Sequence, residues 1–253
     1  HGWLAYVCLF VRHDGMGDVS VVYRKWIGQA LDAGGVVGID TPWVYPILAI
    51  VPMLVAAVFG MTHYVAVWVA MAVVVNAVAF AFAVASARIR AAWWWLAFLV
   101  VLGPIALARI DAFTVCLGII GVLLLSTRPR AAGAVLAIAT WVKVWPAVLV
   151  AAAVVTMRSR GRILFSGVVV SAIVITVALV LGSGARVFSF ITEQTGRSLQ
   201  AEAPVATFWL WAAFVGQPGA GVYFDHQINT YQVRGAGVDV AAAVMTPLLA
   251  VVV

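Results

Sequence analysis

Apolar residues run along this chain in long stretches, at 44–60, 64–87, 91–108, 112–126, 131–157, 163–182, 204–216 and 238–253, with short polar connections between them. A membrane-spanning helix needs about 20 predominantly apolar residues. The pattern predicts an all-α, polytopic membrane protein, a single transmembrane domain over 1–253. Two polar segments are long, 12–43 and 183–237, and segments of this length in a compact protein are more often functional than not.

Several runs are too short, or too interrupted, for one simple crossing. The run 131–157 has about 27 residues, too few for two full spans. Pro146 cannot donate its own N–H and disfavours helix at the residue before it, so two short helices meeting at Lys143-Val144-Trp145-Pro146 are predicted. Segment 44–60 carries Pro46 and Pro52 and reads as a re-entrant or interfacial helix, so that 44–60 and 64–87 together cross once. Residues 19–31 form an amphipathic patch. The run 204–216 is too short to span, and a Gly-rich polar stretch, 217–237, follows it. Only about ten apolar residues, Trp3 to Val11, open the chain, and its end lies inside an apolar run. Both ends read as those of a fragment of a longer polytopic protein.

Composition agrees: 65% of residues are hydrophobic and 9% charged, with a mean hydropathy of +1.12, against about 45–50% and about 25% in soluble domains. A disordered chain, a nucleic-acid module and a disulfide scaffold are excluded by the same figures. Cys8 and Cys116 lie in apolar runs and read as small buried hydrophobes.

The net charge of +6 then becomes informative through its placement. Seven arginines form three clusters with no acid beside them: Arg88/Arg90, Arg128/Arg130 and Arg158/Arg160/Arg162. All nine acids lie in the other connections, with the remaining eight bases. The positive-inside rule puts the arginine clusters in the cytoplasm and the acid-bearing segments outside.

Charges near membrane depth cost about 2.5–3.5 kcal/mol on insertion scales and persist by facing protein or water. Four places stand out on the outer side. His13-Asp14-Gly15-Met16-Gly17-Asp18 follows the first helix and leads to Tyr23 and Arg24; a carboxylate there can act as general base on a hydroxyl. Arg109-Ile110-Asp111 joins two apolar runs, and reads either as a local ion pair at a helix start or as a second acidic group at the same cavity. Lys143 either snorkels to the interface or binds an anion such as a lipid phosphate. Arg197, Gln200 and Glu202 precede the short helix 204–216, as a surface loop or as the polar rim of a cavity. No phosphate-cradling Gly-Lys-Ser/Thr loop, zinc spacing or Gly-x-Ser-x-Gly elbow occurs, so no metal or other cofactor is implied.

In order and type these pieces resemble the membrane-embedded glycosyltransferases of the GT-C class that use polyprenyl-phosphate sugars, nearest to glycosyltransferase family 87, the actinobacterial mannosyltransferases. The matching stretches are GDVSVVYRKW, WVYPILAIVP, ARIDAFTVCLGIIGVLLL, ATWVKVWPAVLV followed by RSRGR, and GRSLQAEAP. The resemblance implies a GT-C-like helix bundle and an inverting mannosyl transfer at the outer face of the plasma membrane. The donor would be a polyprenyl-phosphate sugar and the acceptor a glycolipid or lipoglycan hydroxyl. Asp18 matches the catalytic acid, with Asp111 as a second acidic group. Lys143, helped by Arg109, would meet the donor phosphate; Tyr23, Arg24, Arg197, Gln200 and Glu202 would contact the acceptor or line the loops. Two rival readings are an arabinofuranosyltransferase with a polyprenyl-phosphate arabinose donor, and a lipid or solute transporter. A transporter would spread its charges along the spans at mid-depth, whereas here they cluster at one surface.

Overall fold

The apolar runs form helices close to the places the pattern predicts. In the computed structural model, which describes residues 1–11, 14–32, 34–193, 198–225 and 230–252, the chain packs as two units, His1–Phe190 and Ile191–Val253. The first unit opens with α1 (Gly2–Tyr6), extended by a π-helical turn, Val7–Val11. A second π-helical stretch, Asp18–Tyr23, runs straight into α2 (Arg24–Asp32). Val19, Tyr23 and Ile27 lie four apart and are buried, so the amphipathic patch turns its apolar stripe inward.

The remaining helices of this unit are α3 (Ile50–Ala56), α4 (Tyr64–Ala85), α5 (Ile89–Leu102), α6 (Asp111–Leu124), α7 (Pro129–Val142), α8 (Ala147–Thr156) and α9 (Arg160–Val180). Among the described residues, three helical stretches are long and apolar enough to cross a membrane: Met61–Ala85, Ile89–Ala106 and Arg160–Val180. The segment carrying Pro46 and Pro52 is helical only over Ile47–Ala56, too short to cross alone. The run 131–157 is broken where Pro146 demands it. Lys143 is extended, with φ −152° and ψ 139°, and α8 starts directly after Pro146.

Small residues let α7 sit close to its neighbours, as helix association in lipid requires. A β-carbon on Gly133 would run into the Ile163 carbonyl oxygen and the Ser166 hydroxyl of α9. One on Gly121 of α6 would stand 2.6 Å from a Leu136 methyl. Trp68 of α4 is fully buried and donates its indole N–H to the Leu107 carbonyl at 2.9 Å, which fastens the link after α5. The segment before α3 is pinned to the end of α9: Ser183 donates to the Gly38 carbonyl at 2.8 Å, and the Trp43 N–H donates to the Ser189 hydroxyl at 2.8 Å. Gly38, at φ +81° with Trp43 and Ile47 crowding it, holds the turn in between.

In chain order the arginine clusters and the acid-bearing links alternate. Arg88 and Arg90 stand at the start of α5, Arg128 and Arg130 at the start of α7, and Arg158, Arg160 and Arg162 at the start of α9. Arg109 and Lys143 lie in the intervening links, and Asp111 opens α6. Cys8 and Cys116 are free and buried.

A single turn, α10 (Ser189–Thr192), lies at the unit boundary. The second unit holds α11 (Thr207–Phe214), an antiparallel hairpin of β1 (Gly221–Asp225) and β2 (Thr230–Arg234), and α12 (Val238–Val252). Leu199, Ala206, Trp209, Val233 and Val238 form its core. The hairpin falls in the stretch 217–237, whose glycines suggest only a polar loop. Val222-Tyr223-Phe224 and Tyr231-Gln232-Val233 supply the β-branched and aromatic residues that strands favour.

Candidate active site

Three links of the first unit converge in two ion pairs. Asp18, at the start of the π-helical stretch, receives Arg109 from the link between α5 and α6: Nη1 lies 2.5 Å from Oδ2. Asp111, the first residue of α6, receives Lys143, one residue past the end of α7, with Nζ 2.5 Å from Oδ2. The side chains are 22–37% exposed, so all four are withdrawn from bulk water yet reachable.

The Asp111–Lys143 pair follows from helix length. Both α6 and α7 have 14 residues, and they pack against each other as a hairpin. Each rises about 21 Å, so the residue opening the first and the residue closing the second return to one level. Trp145 adds a clasp, its indole N–H donating to the Thr114 hydroxyl at 3.2 Å. Arg109 is drawn to Asp18 across the bundle.

Tyr23 sits beneath the first pair, with no exposed surface. Its hydroxyl lies 3.3 Å from Asp18 Oδ2 and accepts the Ile110 N–H at 3.3 Å. Burial pushes its phenol well above the usual range, and Tyr45 and the Asp18 charge push the same way. Tyr45 is pushed up to about 12, first by burial and then by the Asp18 charge, while a hydrogen bond with Tyr23 opposes the rise. The Tyr23 hydroxyl, bonded both to Asp18 and to the backbone N–H between Arg109 and Asp111, links the two ion pairs.

Aromatic rings close the side of the site toward α2. Tyr45 stands edge-on to Trp43 and Trp26 at ring centroid distances of 5.6 and 6.0 Å, and Tyr23 stacks on Trp26 at 5.9 Å. Tyr45 is the residue that sequence reasoning passes over. It lies within WVYPILAIVP, and the signal that marks it is an aromatic directly before a proline at the entry of an apolar helix.

Of the other expected residues, Tyr23, expected to contact the acceptor or line the loops, stands beside the first pair with its hydroxyl on Asp18 and the Ile110 N–H. Arg24 is on the exposed side of α2. Arg197 lies outside the described residues, as does the side chain of Asp14. Gln200 is in the second unit, bridged to Gln232, and Glu202 there is exposed. Among the described residues, no three His, Cys, Asp or Glu side chains gather as metal ligands would.

A sequence profile of glycosyltransferase family 87 matches residues 43–253. The chain belongs to glycosyltransferase family 87. No curated protein and no solved structure matches it. The family stretch contains Tyr45, Arg109, Asp111 and Lys143; Asp18 and Tyr23 precede it. Membership makes this protein a membrane glycosyltransferase, and the polar site among its apolar helices is the place to look for the transfer.

Proposed function

We propose that the protein transfers a mannosyl residue from a polyprenyl-phosphate donor to a hydroxyl of a glycolipid or lipoglycan, with inversion, at the outer face of the plasma membrane. The observation that carries this reading is the meeting of two carboxylates and two cations, Asp18 with Arg109 and Asp111 with Lys143, in links between apolar helices. A sugar transfer from a lipid phosphate needs those charges: a base for the incoming hydroxyl and fixed cations for the departing phosphate.

In the reaction the acceptor oxygen attacks the anomeric carbon while its proton passes to Asp18. Among the described residues, the hydrogen bonds that this carboxylate accepts fall on Oδ2, so Oδ1 is the oxygen assigned to the acceptor. The bond from the anomeric carbon to the phosphate oxygen breaks, and its electron pair leaves on the phosphate, whose charge rises from one to two. Lys143, assisted by Arg109, meets that growing charge. A preorganised cation in a water-poor site stabilises such a transition state far more than in water. Asp111, the second carboxylate, keeps Lys143 directed at the reaction centre until the donor takes its place.

The outer orientation is supported by the segregation of seven arginines from all nine acids. Mannose is supported by the likeness of the five sequence stretches to the family's mannosyltransferases. Membranes containing the protein, given labelled polyprenyl-phosphate mannose and native glycolipids, test the reading. Labelled mannolipid is expected. Transfer only from a polyprenyl-phosphate arabinose, or no transfer from either donor, contradicts it.

A further inference from the structure

We infer that Tyr23 is a positioning residue that aims the Asp18 carboxylate, reaching it through a widened helical turn. The inference rests on Asp18 being the proton acceptor proposed above, and concerns how that group is held.

Asp18 and Tyr23 are five residues apart. On an α-helix, five steps of about 100° would point their side chains about 140° away from each other. The stretch Asp18–Tyr23 is π-helical instead. Such turns are rare, occur mostly as single insertions in α-helices and recur at functional sites. Here the widened turn lets the Tyr23 hydroxyl come within 3.3 Å of Oδ2. Directly after Tyr23 the chain continues as the regular α-helix α2.

The hydroxyl has little freedom to be elsewhere. The Tyr23 ring is fully buried, with Trp68, Trp26 and Tyr45 at ring centroid distances of 5.1, 5.9 and 6.4 Å. The same hydroxyl accepts the N–H of Ile110, the residue between Arg109 and Asp111. Toward Asp18 it is the donor, because an ionised carboxylate only accepts, and the Tyr45 hydroxyl is its other side-chain partner. One buried oxygen thus ties the helix bearing the base to the peptide bearing one partner from each ion pair. With Arg109 it makes two donors on Oδ2, which fixes the plane of the carboxylate and the direction of Oδ1.

A buried tyrosine that only fills space would keep its role without the hydroxyl. Tyr23→Phe preserves the ring and separates the two cases. Because misplacing a reacting group by about 1 Å costs about 10²-fold, Tyr23→Phe is expected to lower kcat by roughly 10–100-fold with donor and acceptor KM within about twofold of the parent. The deciding comparison is with Asp18→Asn. If Tyr23 acts through Asp18, the double variant is no slower than Asp18→Asn alone, because removing either member of the pair already removes the aimed base. A normal kcat for Tyr23→Phe, a loss expressed in KM, or losses that multiply in the double variant would overturn the inference while leaving Asp18 as base. A normal kcat for Asp18→Asn would instead overturn the function proposed above. Should the phenylalanine variant not accumulate in membranes, 3-fluorotyrosine at position 23 keeps the shape and changes the strength of the donor. A change in kcat at constant KM is then expected, and an unchanged kcat overturns the inference.

Discussion

Lys143 and Asp111 are 32 positions apart in the chain, and their side chains meet at 2.5 Å because two helices of equal length lie between them. Neither charge is stranded: each was placed at a helix end by the break that Pro146 imposes and by the link after α5. The same arrangement means that Lys143 must exchange a carboxylate for a phosphate if it is to receive the donor. A compact ammonium on a flexible stem is suited to that exchange.

Replacing Lys143 with Met keeps the stem and removes the charge. Loss of a charge-assisted contact of about 1.5–3 kcal/mol raises the donor KM roughly 10–150-fold. Initial rates against donor concentration check this. An unchanged donor KM in folded protein would leave Lys143 as no more than the partner of Asp111.

Close packing between α7 and α9 gives a stability prediction. A methyl group at Gly133 meets the Ile163 carbonyl, a backbone atom that cannot swing aside. Gly133→Ala is therefore destabilising by about 1–3 kcal/mol, read as a lower Tm and less protein in membranes. Gly161→Ala, where nothing lies within 4 Å, is the matched control and leaves both unchanged. Equal behaviour of the two variants would contradict the packing described for α7.

Orientation is open to a direct chemical test. Cysteines introduced at Arg128 and Arg160 are expected to be unreachable by an impermeant thiol reagent in intact cells, while one at Glu193 labels. Labelling at Arg160 from outside would reverse the topology and move the two ion pairs to the cytoplasmic face.

The membrane bundle is legible in the sequence because its cause is one-dimensional. Apolar run length, Pro146 and the placement of seven arginines each act locally, so the break at Lys143 and the short helix from Ile47 to Ala56 can be read directly. The site is legible only in part. Asp18, Arg109, Asp111 and Lys143 stand out as charges beside apolar runs, but their pairing does not, since Arg109 and Asp111, two residues apart, each find a distant partner. Tyr23 and Asp18 are hidden by a five-residue spacing that no 3.6-residue periodicity joins. Tyr45 is hidden because its environment comes from loops held by Ser183 and Ser189, some 140 positions later. The hairpin in the second unit escaped because its glycines outweigh two five-residue strands.

The central claim is that Asp18 accepts the acceptor's proton, and turnover of Asp18→Asn measures it most directly. The amide keeps the size of the carboxylate and cannot take the proton. General-base catalysis contributes about 10²–10⁴-fold, so mannosyl transfer by Asp18→Asn is predicted to fall by that factor while expression and donor binding persist. Asp14→Asn, in the same segment, is predicted to retain most of its activity. Near-normal turnover by Asp18→Asn, or equal losses at both positions, would contradict the account.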